Sequence, residues 1–291
     1  MQTSLEHLKH LFETYCQARF TLMRQQAGTY LSQLPQSAVI FEAMEYSFFS
    51  GGKRFRPLLG LTLAEALNID LQKCYPWLLA IEMIHTYSLI HDDLPAMDNS
   101  DTRRGRPSCH KQFREDIAIL AGDALCAQAF WELADGYHAD SVELVPRLTG
   151  LLSEAIGPRG IVLGQVMDIQ SKSAHYTKEQ ILLMHQLKTG LLFQVVFQGV
   201  GLIGGLATNK IKSLDKLGLQ IGLAFQIKDD LLDSKEDEIE PGSLPAVLGL
   251  DETKKLLESI QKDMQNTLSH LRIPLESSLA QLIELNESRS L

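Results

Sequence analysis

Two runs of carboxylates stand out by residue type and spacing. The stretch Ile81–Asp101 reads IEMIHTYSLIHDDLPAMDNSD, in which an apolar run delivers Asp92 and Asp93 at its end and Asp98 follows beyond Pro95. The stretch Phe225–Asp233 reads FQIKDDLLD and also closes an apolar run. Asp229 and Asp233 are one helical turn apart and project from one face, with Asp230 beside them. In the first run Pro95 disfavours helical geometry at Leu94. The chain is therefore expected to leave the helix there and to return Asp98 by a loop.

Carboxylates at the inner ends of apolar helices repel one another and lose hydration. Near a helix C-terminus they also oppose the macrodipole. A hard divalent cation removes these costs, and an oxygen-only donor set favours magnesium over zinc or copper. Few carboxylates per ion leave coordination positions open, which suits a phosphate ligand. One such run alone reads equally well as a solvated helix end. Two runs in one helical chain, each behind an apolar helix, point to a metal.

Cations gather in the same regions. Gly51-Gly52-Lys53-Arg54-Phe55-Arg56-Pro57 places three behind a glycine turn, Arg103-Arg104-Gly105 follows the first acidic run, and Lys188-Thr189-Gly190 opens another apolar stretch. Arginine forks bind phosphate oxygens bidentately, and lysine supplies a compact charge. Each group by itself reads as an exposed surface patch; together with the acids they imply a diphosphate substrate. His85 lies two helical turns before Asp92 on nearly the same face, where a core histidine is the competing reading. Gln165 and Asp168, in GQVMD, share a face at three-residue spacing, and that pair could equally be structural.

The elements that must position these groups are helical. Leu5, Leu8, Leu11, Phe12 and Tyr15 repeat at three- and four-residue steps, as do Leu214, Leu217, Ile221 and Phe225, and then Leu256, Leu257, Ile260 and Met264. Period-two alternation is scarce, and no hairpin dipeptide separates β-branched runs. Pro35, Gly51-Gly52, Pro76, Pro95, Gly105–Pro107, Gly136, Pro146, Gly157–Gly160, Pro241–Pro245 and Pro274 punctuate the chain into about ten helices. Pro95–Pro107 and Ser234–Leu244 are polar and charged, and are expected to be loops. With no linker or repeat, residues 1–291 read as one all-α domain.

Composition narrows the function classes. An apolar fraction of 45% excludes a disordered chain, and a net charge of −9 excludes a general nucleic-acid binder. Cys16, Cys74, Cys109 and Cys126 lack metal-ligand or redox spacing, so a reduced, cytoplasmic protein is expected. The polar, amphipathic start has no signal-peptide core. Gly190–Ala207 is the most membrane-like run, and Gln194 and Gln198 within it point to a buried core helix with no stable membrane insertion.

Over essentially the whole chain, GGKRFRP, SLIHDDLPAMDNSDTRRGRPSCH, ILAGDAL, GQVMD, KTG and GLAFQIKDDLLD match in order and spacing the bacterial short-chain trans-prenyl diphosphate synthases, nearest those with a farnesyl product. The resemblance implies the isoprenoid synthase fold, an all-α bundle around a deep central cavity, in a homodimer. It implies a magnesium-dependent, head-to-tail condensation of isopentenyl diphosphate with dimethylallyl or geranyl diphosphate. Asp92, Asp93 and Asp98, with Asp229, Asp230 and Asp233, would hold magnesium on the allylic diphosphate, assisted by Arg103 and Lys188. Lys53, Arg56, His85 and Arg104 would hold isopentenyl diphosphate, and Thr189 and Gln226 would face the reacting carbons. Tyr87, five residues before Asp92, would floor the chain pocket near fifteen carbons. Geranyl or geranylgeranyl synthases and terpene cyclases remain alternatives.

The chain departs from that family at one place. Relatives carry two Gly-Lys elements after the second acidic run, but here SKEDEIEPGS follows Asp233. Lys235 is the only cation among Glu236, Asp237, Glu238 and Glu240. Weaker diphosphate binding, a higher magnesium requirement and slower turnover are expected, with a non-catalytic subunit as the extreme alternative.

Overall fold

The computed structural model describes residues 2–138, 143–234, 239 and 241–287. Its elements run α1 (Gln2–Gln26), α2 (Gly28–Gln33), a 3₁₀ turn (Pro35–Ala38), α3 (Val39–Phe48), α4 (Phe55–Ala66), α5 (Leu71–Asp92), β1 (Thr102–Arg103), β2 (Arg106–Pro107), α6 (Cys109–Phe113) and α7 (Glu115–Gly136). Then follow α8 (Leu144–Ile156), α9 (Ile161–Ser171), α10 (Lys178–His185), a π turn (Gln186–Gly190), α11 (Leu191–Ile203), α12 (Thr208–Asp233), α13 (Leu244–Leu248), α14 (Leu250–His270) and α15 (Ser278–Glu287). The fold is all-α, as the periodicity predicts. Some of the expected breaks run into helices, as Pro245 does in the first turn of α13. Pro146 falls in the first turn of α8, where its missing N–H costs no helical bond, and Pro76 sits within α5. The Pro95–Pro107 segment, expected to be all loop, contains the β1–β2 hairpin.

The chain forms two compact units, Met1–Leu58 with Tyr75–Val145, and Leu59–Cys74 with Pro146–Leu291. In the first, α1 buries Leu8, Phe12, Cys16, Phe20 and Met23, a stripe at four- and three-residue steps that leaves Leu11 on the outer side. Arg19 on α1 donates to Glu132 and Asp135 of α7 at 2.7 and 2.6 Å. Antiparallel α5 and α7 meet at two glycine seats. A Cβ on Gly136 would stand 2.5 Å from Pro76, and one on Gly122 2.2 Å from His91. Neither position tolerates a side chain at this spacing.

The second unit repeats the device. Antiparallel α11 and α12 approach so closely that a Cβ on Gly218 would meet the Gln194 Cα at 2.8 Å, and one on Gly222 the Gly190 Cα at 2.7 Å. The expected core helix is therefore real, though it stops at Ile203. Gln194 and Gln198, its two polar residues, donate their amides to Asp215 of α12. Among the described residues two helices are long and apolar enough to cross a membrane: Lys178–Ile203, 61% buried over its most apolar window, and Glu115–Gly136, 39% buried, which the sequence reading passed over. All four cysteines are free thiols.

Candidate active site

In the first unit α5 ends at Asp92 and the chain turns back at once. The Asp98 N–H donates to the Asp92 carbonyl at 2.9 Å, and the Ser100 N–H to the Asp93 carbonyl at 3.2 Å. This is the return that Pro95 predicts. Asp92 is half-buried and Asp98 exposed, whereas Asp93 points inward at 2% exposure. Arg103 grips Asp93, with Nε 3.1 and 3.2 Å from its two oxygens and Nη2 closer still to Oδ1.

The hairpin aims the arginines. Thr102 pairs with Pro107 and Arg103 with Arg106. The corner residues Arg104 and Gly105 have φ of +54° and +74°, the left-handed pair that a tight two-residue β-turn requires. Arg104 then reaches the glycine turn and donates to the Gly51 carbonyl at 2.5 Å. A Cβ on Gly52 would stand 2.7 Å from the Arg104 guanidinium carbon, and the Gly52 φ of +112° excludes a side chain independently.

The three cations of the Gly-Gly segment part company. Arg54, at φ +49°, turns inside to 3% exposure. There it donates to Glu82 at 2.9 Å and to the Phe48 carbonyl at 2.6 Å. Lys53 is exposed and Arg56 half-buried. Burial, reinforced by Arg56, Arg104, Arg54 and Arg103, holds the His85 imidazole well below its usual range and hence neutral. His85 adds no charge here; it offers one donor and one acceptor. Tyr87 stands edge-on to the His91 ring at 5.4 Å, and burial pushes its phenol up to about 12.

The second unit carries the other residues. The π turn Gln186–Gly190 interrupts an otherwise α-helical run, a local widening that often marks functional segments. It rests on Gly164 of α9, where a Cβ would lie 2.4 Å from the Lys188 nitrogen. Lys188 donates to Asp168 at 2.6 Å, so the undecided Asp168 is its partner. Thr189 donates to the Gln226 carbonyl oxygen at 2.8 Å. Along α12, Asp229 is half-buried and Asp233 exposed, but Asp230 is turned in. It accepts from the Gln226 amide at 3.3 Å and from the Leu244 N–H at 3.0 Å. Burial raises Asp230 to about 6, and burial lowers His185, 3.4 Å away, to about 4. Asp168, His185, Lys188, Thr189, Gln226 and Asp230 line a cavity of about 130 Å³.

Sequence reasoning missed His185, although it lies three and four residues before Lys188 and Thr189, the spacing of one helical face. The departure carrying Lys235, Glu236, Asp237, Glu238 and Glu240 lies outside the described residues.

The donor set suits magnesium. Among the described residues no three His, Cys, Asp or Glu side chains converge on one point. Of the six candidate ligands, Asp92 and Asp98 in the first unit and Asp229 and Asp233 in the second reach solvent. Magnesium is commonly held by one or two carboxylates, the remaining positions going to water and substrate phosphate.

The model of the polyprenyl synthetase family matches residues 37–243. Farnesyl diphosphate synthase of Geobacillus stearothermophilus is 41% identical over 256 residues, covering 81% of this chain and 86% of that protein. Farnesyl diphosphate synthase of Micrococcus luteus is 38% identical over 261 residues, covering 86% and 89%. Among solved structures, an FPP/GFPP synthase from Zymomonas mobilis superimposes with a TM-score of 0.82 at 33% identity, covering 96% of this chain and 98% of that one.

Proposed function

This chain belongs to the polyprenyl synthetase family, and from that premise we propose that it is a magnesium-dependent prenyltransferase making farnesyl diphosphate. It joins isopentenyl diphosphate head to tail to dimethylallyl or geranyl diphosphate and releases pyrophosphate. The observation that carries the reading is the 41% identity to a farnesyl diphosphate synthase across 81% of the chain.

The residues divide the work by charge. Asp92 and Asp98 in the first unit, and Asp229 and Asp233 in the second, would hold magnesium, which supplies Lewis-acid neutralisation of the diphosphate leaving group. Arg103 keeps 37% of its side chain exposed while bonded to Asp93, so it can meet a phosphate without leaving its partner. Lys188, steered by Asp168, is the matching cation of the second unit. Lys53, Arg56 and Arg104, with neutral His85, bind the isopentenyl diphosphate. The allylic C–O bond breaks to a delocalised cation, the isopentenyl alkene forms the new C–C bond, and the departing pyrophosphate takes the proton that is lost. No nucleophilic Ser, Cys or Lys is required. The homodimer belongs to this reading, and sedimentation of the purified protein checks it.

Incubation with magnesium, isopentenyl diphosphate and each allylic diphosphate in turn, followed by product sizing, tests the proposal. A fifteen-carbon diphosphate is expected; no condensation with any allylic partner would overturn it.

A further inference from the structure

Asp230 belongs to the second acidic run by sequence and departs from it by placement. Asp229 and Asp233 reach solvent, while Asp230 is 9% exposed and accepts from two partners inside its unit. Its Oδ1 accepts from Gln226 Nε2 at 3.3 Å and its Oδ2 from the Leu244 N–H at 3.0 Å. On the other side of Gln226, the Thr189 hydroxyl donates to Oε1 at 2.8 Å. We propose that Asp230 is a positioning residue and not a magnesium ligand: through Gln226 it fixes the direction of the Thr189 hydroxyl, and it anchors the backbone at Leu244.

The argument is one of donors and acceptors. An ionised carboxylate only accepts, so the amide of Gln226 must present its NH₂ to Asp230. The carbonyl end then faces Thr189 and takes the hydroxyl proton. Having given its proton to Gln226, the Thr189 hydroxyl can act only as an acceptor toward the cavity that it lines with Lys188. Were Gln226 to flip, its oxygen would oppose the Asp230 carboxylate, so Asp230 selects one of two amide orientations that share the same shape. Asp230 also accepts at the far end of the connection between α12 and α13, through Leu244. At the near end its own backbone carbonyl accepts from the Ser234 hydroxyl at 2.7 Å. An oxygen pair engaged in this way serves the protein's geometry better than it serves an ion.

This inference rests on the proposed condensation for its kinetic test, and two further measurements keep the failures apart. Asp230→Asn keeps the shape of the side chain but supplies a donor, which removes the selection of the amide orientation. Its kcat should fall about 10- to 100-fold, the usual scale for a supporting partner, with magnesium half-saturation close to that of wild type, since no ligand to the ion is removed. Asp229→Asn should raise the magnesium requirement. Gln226→Leu, which leaves every carboxylate in place, should reproduce the kcat loss even if Asp230→Asn folds poorly. Combining Asp230→Asn with Thr189→Val should cost little beyond either change alone. Calorimetric titration of magnesium with inorganic pyrophosphate, and hydrogen exchange at Leu244, read the two halves without turnover. Unchanged magnesium–pyrophosphate affinity with faster exchange at Leu244 is expected in Asp230→Asn. An affinity loss as large as that of Asp229→Asn, or multiplying effects of the Asp230 and Thr189 changes, would overturn the proposal. A wild-type chain that condenses nothing would sink the functional reading, while the titration and the exchange would still decide the role of Asp230.

Discussion

The Nε2 atom of His91 occupies the seat that a Cβ on residue 122 would fill, 2.2 Å away. The ring bonds the Ile119 carbonyl from that nitrogen at 3.1 Å, and since a carbonyl only accepts, Nε2 carries the proton. His91 immediately precedes Asp92, so α7 dictates how the last turn of α5 leaves the helix. Gly122→Ala should cost about 1–3 kcal/mol by overpacking, measured by denaturant unfolding. His91→Ala in the same chain should return part of that loss, because it empties the contested seat. Strictly additive losses would show that the two residues do not compete for one space.

Arg54 and Lys53 are neighbours with opposite fates, and substitution should separate them. Arg54 and Glu82 are nearly enclosed, with 2% and 3% of their side chains exposed. Removing the guanidinium leaves a buried carboxylate without its main counter-charge. Arg54→Met should therefore destabilise by about 3–5 kcal/mol. Lys53→Ala, at an exposed position, should stay within about 0.5 kcal/mol and raise the KM for isopentenyl diphosphate. Equal thermal shifts in the two variants would contradict this division.

That contrast marks where the sequence is legible. The helices announce themselves by periodicity, and Pro95 announces the return of Asp98, because hydrophobic spacing and proline sterics are local. Which of Lys53, Arg54 and Arg56 turns inward depends on the φ of +49° at Arg54, which no residue type there signals. The hairpin is hidden because two-residue strands are too short to alternate. The π turn at Gln186–Gly190 is a subtle change in helical winding, and its composition does not reveal it. Asp93 and Asp230 look like their neighbours in sequence; only the tertiary partners Arg103 and Leu244 separate them.

Metal removal should discriminate between the carboxylates. Asp92→Ala and Asp229→Ala should each slow condensation by orders of magnitude and leave the fold intact, because they delete candidate ligands and not core packing. Without magnesium, melting temperatures should hold or rise, since deleting one carboxylate relieves repulsion within its cluster. Near-normal turnover in both variants would remove the two-cluster reading.

Tyr87 tests the product length. It sits about 7.5 Å before Asp92 along α5, at 1.5 Å per residue, and its ring is held edge-on by His91. Tyr87→Ala should shift the product beyond fifteen carbons while Tyr87→Phe, which keeps the ring, should not. An unchanged product from a well-folded Tyr87→Ala protein would make this an ordinary packing tyrosine.

The last prediction concerns pH and the His185–Asp230 neighbours, whose shifts oppose each other. Asp230 is raised from 3.8 to about 6. Between those values the folded state binds more protons than the unfolded one, so this group makes stability fall as pH rises. His185 is lowered from 6.5 to about 4. Over that interval the unfolded state binds more protons, and this group makes stability rise with pH. The two slopes nearly cancel between pH 4 and 6. Each substitution should expose the other group. Relative to wild type, Asp230→Asn should gain stability with rising pH, and His185→Gln should lose it. Each difference should approach about 1.4 kcal/mol per pH unit, the value for one proton. Urea unfolding of the three proteins at half-unit steps from pH 4 to 6.5 reads the slopes directly, and parallel curves would mean that neither group is shifted by its burial.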